Sequence, residues 1–562
     1  MNNLSENTRL LIASTLCLAI LYFWQTMYVE PMIDEQKTSQ QELIDNTISS
    51  SQVPHEKSQI VTRDVALKQA SRINFENDKV KASINLMGAR LDDLILKNYK
   101  VSTEEGAPSV HLLSPSQTND VYFAEFGWLS AGSKIQTPNS STIWNATSEG
   151  ESKYSLHWQN PQGVMFKIHL SLNKDYMFDV SQEVVNNSGT QVNLTPYSLI
   201  SRVKKDDDNE NTLIHEGAIG VFGETLHEVS FSDLTSDAKQ SFSGQQTDWI
   251  GFSDKYWLTA LIPSDKAGIK SDFRMTKYHN QDRYQISLAG TETIIDAGST
   301  TKFDSKFFAG AKEIDLLDAY ETNNNIKLFD RAVDFGMLYF ITKPIFILLH
   351  YFYDMIGNFG VAILLLTVFI KLLLFPLAHK GFKGMNRLKD LQPKMTAIKE
   401  KYKDKPQEFQ KALMDLYRKE KVNPMAGCLP ILLQIPIFFA LYKVLSVTIE
   451  MRHAPFFGWI VDLSVPDPMT FVNLFGLIPW DPPLFLSIGI FPVLMALTMY
   501  IQQRLNPEPA DPVQAKVMRL MPVVFLFMFA SFPSGLVIYW TWSNVLSILQ
   551  QSLIKKIEPG KK

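Results

Sequence analysis

The stretch Phe359-Gly360-Val361-Ala362-Ile363-Leu364-Leu365-Leu366-Thr367-Val368-Phe369-Ile370-Lys371-Leu372-Leu373-Leu374-Phe375-Pro376-Leu377 is apolar except for Thr367 and Lys371. At 1.5 Å per residue such a run is about 28 Å long, close to the ~30 Å hydrocarbon core of a bilayer. It predicts a membrane-spanning helix carrying one charge. Lys371 lies seven residues before Ala378, hence about 10 Å inside the predicted end of the span.

Four further apolar runs follow at about 429–447, 484–501, 517–532 and 535–553. The last two are parted only by Phe532-Pro533-Ser534-Gly535, a turn between antiparallel helices. Another run, from Leu10 to Val29, is long enough to span. It ends in Tyr22, Phe23, Trp24 and Tyr28, an aromatic belt rather than the small residues of a cleavage site. Residues 1–30 therefore read as an uncleaved anchor, and six spans are expected in all. Residues 328–357 mix Phe335, Leu338, Phe340, Ile345 and Leu349 with Arg331, Asp334, Lys343 and His350, the pattern of an interfacial amphipathic helix.

Between the anchor and the later spans the chain is polar. Residues 31–58 are rich in Gln, Ser, Thr and acidic residues and read as a tether. Over 59–327 the apolar period changes to two: Val164 to Leu170 follows the turn Pro161-Gln162-Gly163, and runs from Met177 and Val192 follow Asn173-Lys174-Asp175 and Asn187-Ser188-Gly189. Such spacing predicts an antiparallel, mostly β domain. Residues 358–556 form a five-span core, with a cytoplasmic helical hairpin at 378–423 and a short tail at 557–562.

Lysine and arginine placement orients the chain. Residues 378–423 hold thirteen Lys or Arg against six Asp or Glu, while 451–483 has Arg452 alone. Arg504, Lys516, Arg519 and the terminal Lys555, Lys556, Lys561 and Lys562 fall on the same side as 378–423 if there are six spans. Both termini are then cytoplasmic and the β domain lies outside.

Composition excludes several classes. With 54 basic and 58 acidic residues the net charge of −4 gives no field for a nucleic-acid partner. Two cysteines, Cys17 and Cys428, cannot build a disulfide framework or a paired-cysteine zinc site, and ten scattered histidines offer little to a metal enzyme. No phosphate-binding loop, H-E-x-x-H or G-x-S-x-G occurs. The acidic run at 204–210 lacks the glycine and terminal glutamate of a calcium loop and reads as solvated. No cofactor and no metal are expected.

Polar residues inside apolar runs mark the candidate site, because intramembrane charges face protein or water. Thr367 is four residues before Lys371, on the same helix face. In the last span Trp540, Asn544, Ser547 and Gln551 share one face, and Gln434 interrupts the third span. A shared hydrophilic groove accounts for all three helices, against helix–helix hydrogen bonds and a snorkelling lysine as the plainer readings. In the hairpin, Met385, Leu388, Leu391, Met395 and Ile398 recur at helical spacing, as do Phe409, Leu413, Leu416 and Tyr417. An uncovered face there would suit a nascent chain or partner.

Asn423-Pro424-Met425-Ala426-Gly427-Cys428-Leu429-Pro430, continuing through Gln434 to Tyr442, resembles the third span of the YidC membrane protein insertases (the YidC/Oxa/Alb family). So do Phe532-Pro533-Ser534-Gly535-Leu536-Val537-Ile538-Tyr539 and Ser543-Asn544 in the last span. Trp249-Ile250-Gly251-Phe252 and Tyr256 to Pro263 look like the periplasmic domain of the Gram-negative members. The resemblance implies a polytopic α-helical inner-membrane protein with an all-β periplasmic supersandwich. It implies an insertase and chaperone, not an enzyme, that works alone or with the Sec translocon and its accessory subunits on newly made integral membrane proteins. It places Lys371 where the family carries a positive charge, most often arginine, in a groove open to cytoplasm and lipid. Thr367, Gln434, Tyr539, Trp540 and Asn544 would line that groove. Contact with the ribosome or the signal recognition particle receptor would fall to the cytoplasmic loops, since the tail is short. A transporter or channel using the intramembrane lysine is the alternative, and a tethered carbohydrate-binding protein a third reading. Against transport, no internal repeat of the spans is visible.

Overall fold

Strict alternation builds the β part. In the strand Val164–Leu172 every second residue, Val164, Phe166, Ile168, Leu170 and Leu172, is buried while those between are half-exposed. Its turn is set by Asn160, whose Oδ1 accepts from Val164 N at 2.8 Å, and by Gly163 at φ +92°. The computed structural model describes residues 60–130, 135–204, 214–278, 281–402, 405–420, 422, 429–472, 478, 487–506 and 512–557. The predicted anchor (1–30), the tether (31–58), most of the acidic run at 204–210, residues 423–428 and all but Ile557 of the tail lie outside them.

Among the described residues the β domain has one sheet of ten strands and one of nine, paired antiparallel throughout. The sheets share a core in which Trp128 of one meets Phe166 of the other at 5.1 Å between ring centroids. The strand Thr300–Ala311, last in the chain, sits at the centre of the nine-stranded sheet, between Met177–Asn186 and Trp257–Pro263. A short helix, α1 (Arg63–Lys68), precedes the first strand, and another, α2 (Phe231–Ser236), interrupts the β pattern. The second has a capping box made by Ser230 and Asp233. A longer helix, α3 (Ile314–Asn324), leads out of the domain.

The amphipathic segment is helical only from Tyr339: α4 spans Tyr339–Ile356 and stops where Gly357 takes φ +75°. Residues 330–338 are instead a 3₁₀ turn and loop that links the domain to α4. Phe340, Pro344, Ile347, Tyr351 and Met355 form an exposed stripe on α4, opposite the buried Ile345, Phe346 and Leu349.

The predicted span at 359–377 breaks. Asn358 caps α5 (Phe359–Leu373) by accepting from Val361 N at 3.0 Å. The chain then bends 68° into α6 (Phe375–Asp390). Pro376 in the first turn of α6 has no N–H to offer and its ring excludes the carbonyl four residues back, which ends the preceding helix. Lys371 is consequently in the last turn of α5 rather than two turns inside the span. The hairpin continues as α7 (Gln392–Lys401) and α8 (Pro406–Glu420), each started by a proline in its first turn. Leu391, Met395, Tyr417 and Val422 pack together with Leu388, Leu413 and Leu416, so much of the expected uncovered face is spent closing the hairpin on itself.

The remaining helices are α9 (Leu429–Val447), α10 (Ile490–Leu505), α11 (Pro512–Phe529) and α12 (Ser534–Ile557). Of the run expected from 484, residues 484–486 lie outside the described residues, and 487–489 precede the helix, which starts at Ile490. Among the described residues no single helix is long and apolar enough to cross a membrane, but α5 and α6 pass jointly as a bent pair.

Candidate functional site

Helix α12 is where the polar groups of the core meet. Lys371, at the end of α5, donates from Nζ to Ser547 Oγ on α12 at 2.9 Å. Its ammonium therefore lies against a neighbouring helix, not extended towards headgroups. Among the described residues it forms no ion pair. Its position in the last turn also suits a cation, since that end of a helix carries partial negative charge.

The other five predicted residues fall around the same helix. Gln434 Nε2 on α9 donates to the hydroxyl of Tyr539, whose side chain is fully buried. Asn544 Nδ2 donates to Thr498 Oγ1 on α10 at 3.2 Å. Gln551, one turn below Ser547, reaches Asn506 Oδ1 at 3.3 Å, just beyond α10. Trp540 stands in an aromatic cluster with Phe438 of α9 at 4.9 Å and Phe529 of α11 at 5.3 Å. Thr367 is buried and donates to Ile363 O at 2.6 Å, within its own helix. The single polar stripe thus divides by neighbour: Ser547 faces α5, Trp540 packs on α9 and α11, and Asn544 and Gln551 face α10. Sequence reading passed over Thr498, a lone hydroxyl in an apolar run. It noted Ser547 in the stripe without assigning it a partner.

A second concentration of charge joins the β domain to the helices. Asp334 accepts from Lys443 Nζ of α9 at 2.7 Å through Oδ2, which also takes His215 N at 2.9 Å. Burial raises the pKa of Asp334, but Lys443 outweighs it and leaves the carboxyl below its ordinary range. Nearby, Asp318, Glu321 and Asp330 stand close enough to one another to hold a metal ion. Lys343 already serves two of them, at 2.7 Å from Asp318 and 2.7 Å from Asp330, and the Tyr339 hydroxyl donates to Asp330. The cluster is an ion-pair knot holding α4 to the 3₁₀ turn before it. After α9, Arg452 donates to Lys100 O at 2.6 Å and lies over the Trp257 ring at 5.5 Å. Glu450 Oε1 accepts from Ile314 N at 3.3 Å, while its Oε2 is buried and has no hydrogen-bond partner among the described residues. Burial pushes the Glu450 carboxyl up to about 7.

A large β-sheet domain tied by ion pairs to a core of apolar helices, whose polar side chains pair from helix to helix, is the architecture of a two-part membrane protein. The profile of the 60Kd inner membrane protein family matches residues 351–561, and that of the YidC periplasmic domain matches residues 72–348. The chain is 47% identical over 564 residues to the membrane protein insertase YidC of Rickettsia bellii, covering 99% of this chain and all of that one. It is 46% identical to that of Rickettsia felis, with the same coverage. The chain belongs to the YidC membrane protein insertase family. It is an inner-membrane insertase with a periplasmic β-sheet domain, it is not an enzyme, and its substrates are membrane proteins. Among solved structures, an active YidC insertase crystal structure with the first transmembrane domain resolved covers 94% of this chain and 98% of its own, at 19% identity and a TM-score of 0.36. A galactose mutarotase related enzyme of Lactobacillus acidophilus covers 43% of this chain and 97% of its own, at 10% identity and a TM-score of 0.31. Scores that low carry no weight for the arrangement of the parts.

Proposed function

We propose that insertion proceeds through a hydrophilic groove, open to cytoplasm and lipid, in which the Lys371 ammonium receives the polar end of a substrate. The observation that supports this best is an ammonium among the core helices that rests on a hydroxyl and, among the described residues, is not paired with a carboxylate. Thr367, Gln434, Tyr539, Trp540 and Asn544 belong to the helices that would wall the groove. Polar backbone in hydrocarbon costs several kcal/mol per unsatisfied group. A wet recess shortens the path over which that cost applies, and burial of the substrate's apolar helix supplies the drive. The topology is six spans with both termini cytoplasmic and the β supersandwich in the periplasm. The exposed apolar stripe of α4 then lies in the lipid interface. The protein also assists folding and assembly, alone or with the Sec translocon. The basic hairpin at 378–423 takes the ribosome or the signal recognition particle receptor.

Insertion of a short two-span substrate into proteoliposomes holding this protein alone, read by protease protection, tests the groove. Wild type and Lys371→Arg should insert, and Lys371→Ala should lose about tenfold or more, the worth of a charge-assisted contact. Equal insertion by all three would reduce Lys371 to an anchor.

A further inference from the structure

The ammonium of Lys371 ends a chain of four flexible carbons and would, if untethered, swing towards the headgroups. Its only described hydrogen bond is to Ser547 Oγ at 2.9 Å, on a helix 176 residues further along the chain. Ser547 is itself buried and sits between Asn544 and Gln551, both of which are bonded to the α10 side. Those contacts fix the rotation of α12, and so fix where the Ser547 hydroxyl points.

The type of residue matters as much as its position. A hydroxyl oxygen accepts one of the three N–H donors of an ammonium and leaves two. It carries no charge, so the full positive charge stays available. A carboxylate at the same place would cancel it, and an alanine would let it go.

We infer that Ser547 is the positioning residue of this insertase: it holds the Lys371 ammonium inside the helical core while leaving its charge and two of its donors for the substrate. The inference rests on the groove reading above and names a part of it, the pairing of a lysine with a serine across α5 and α12. It also accounts for how a lysine, which lacks the rigid fork of arginine, is kept in one place.

The test uses the full chain in proteoliposomes and two versions of one substrate. One has an acidic hydrophilic tail, and in the other those acids are replaced by amides. With the acidic tail, Ser547→Ala should insert about tenfold less than wild type, the loss of one hydrogen bond to a charge. Ser547→Thr, which keeps the hydroxyl, should stay within about twofold, less than half a kcal/mol on the same scale. Ser547→Asp should fall as far as Lys371→Ala. With the amide tail the Ser547 variants should differ little from wild type. The inference is overturned if Ser547→Ala matches wild type while Lys371→Ala fails, if Thr is as poor as Ala, or if both substrates lose equally, which would mark a packing defect. Full activity of Lys371→Ala would instead bring down the groove reading itself.

Discussion

In the loop after α9, Glu450 faces the first turn of α3 with one oxygen served by Ile314 N–H and the other buried without a partner among the described residues. Burial, together with the nearby charges of Asp315 and Glu313, raises its carboxyl from 4.5 to about 7. Between those values the folded protein keeps a proton that the unfolded chain has lost, so stability falls as pH rises from about 4.5 to about 7 and then levels off. The full swing is on the order of 3 kcal/mol. Glu450→Gln should remove that slope, leaving stability at pH 5 nearly unchanged and raising it at pH 8. Thermal unfolding in detergent across that range decides it, and parallel curves for the two proteins would refute the assignment. Lys371 and Gln434 were legible in the sequence because each breaks an apolar run. Their partners were harder to read: Gln434 meets Tyr539 across 105 residues and Lys371 meets Ser547 across 176. Periodicity fixes which face a residue occupies, never which helix that face will meet.

At the scale of elements, helix α5 packs tightly enough at its start that Gly360 has no room for a side chain. A Cβ there would stand 1.9 Å from the ring of Phe456. Alanine at a helical glycine usually gains about 1 kcal/mol. Here overpacking, about 1–3 kcal/mol, should win. Gly360→Ala should therefore lower the unfolding temperature, and a rise would show that the loop carrying Phe456 gives way freely. The strands at 164–172, 177–186 and 192–203 were legible because alternation and Asn- or Gly-rich turns agree. The break after Leu373 was not, because Pro376 passes for an apolar residue in a hydropathy reading while acting on the backbone. The late start of α4 has a similar origin, since Gly336 at φ +70° favours a turn within an otherwise mixed apolar stretch.

Across the whole molecule, charged and polar contacts join the β domain to the helical core alongside a shared hydrophobic cluster. Asp334 binds His215 of the domain and Lys443 of α9 through one carboxylate, and Arg452 grips the end of the strand Arg90–Lys100. Asp334→Asn takes the anion from Lys443 and should cost about 3 kcal/mol of docking. Limited proteolysis should then cut faster within 325–338 while the β sheets stay resistant; unchanged cutting would mean that the joint does not depend on this pair. The division into a β domain and a helical core could be read from the placement of the apolar runs and the change of period between them. The order of strands could not, because alternation says nothing about which neighbour a strand will choose.

That order has a consequence for how the chain comes to exist. The strand that completes the middle of the nine-stranded sheet, Thr300–Ala311, is the last of its strands to be synthesised. Until it arrives, the strands on either side of it form two separate half-sheets with open edges, which invite mispairing. The nine-stranded sheet therefore cannot be completed until this strand is available, shortly before α3 and the amphipathic α4 in the chain. A chain that inserts other membrane proteins thus passes, during its own making, through a stage with unpaired strand edges.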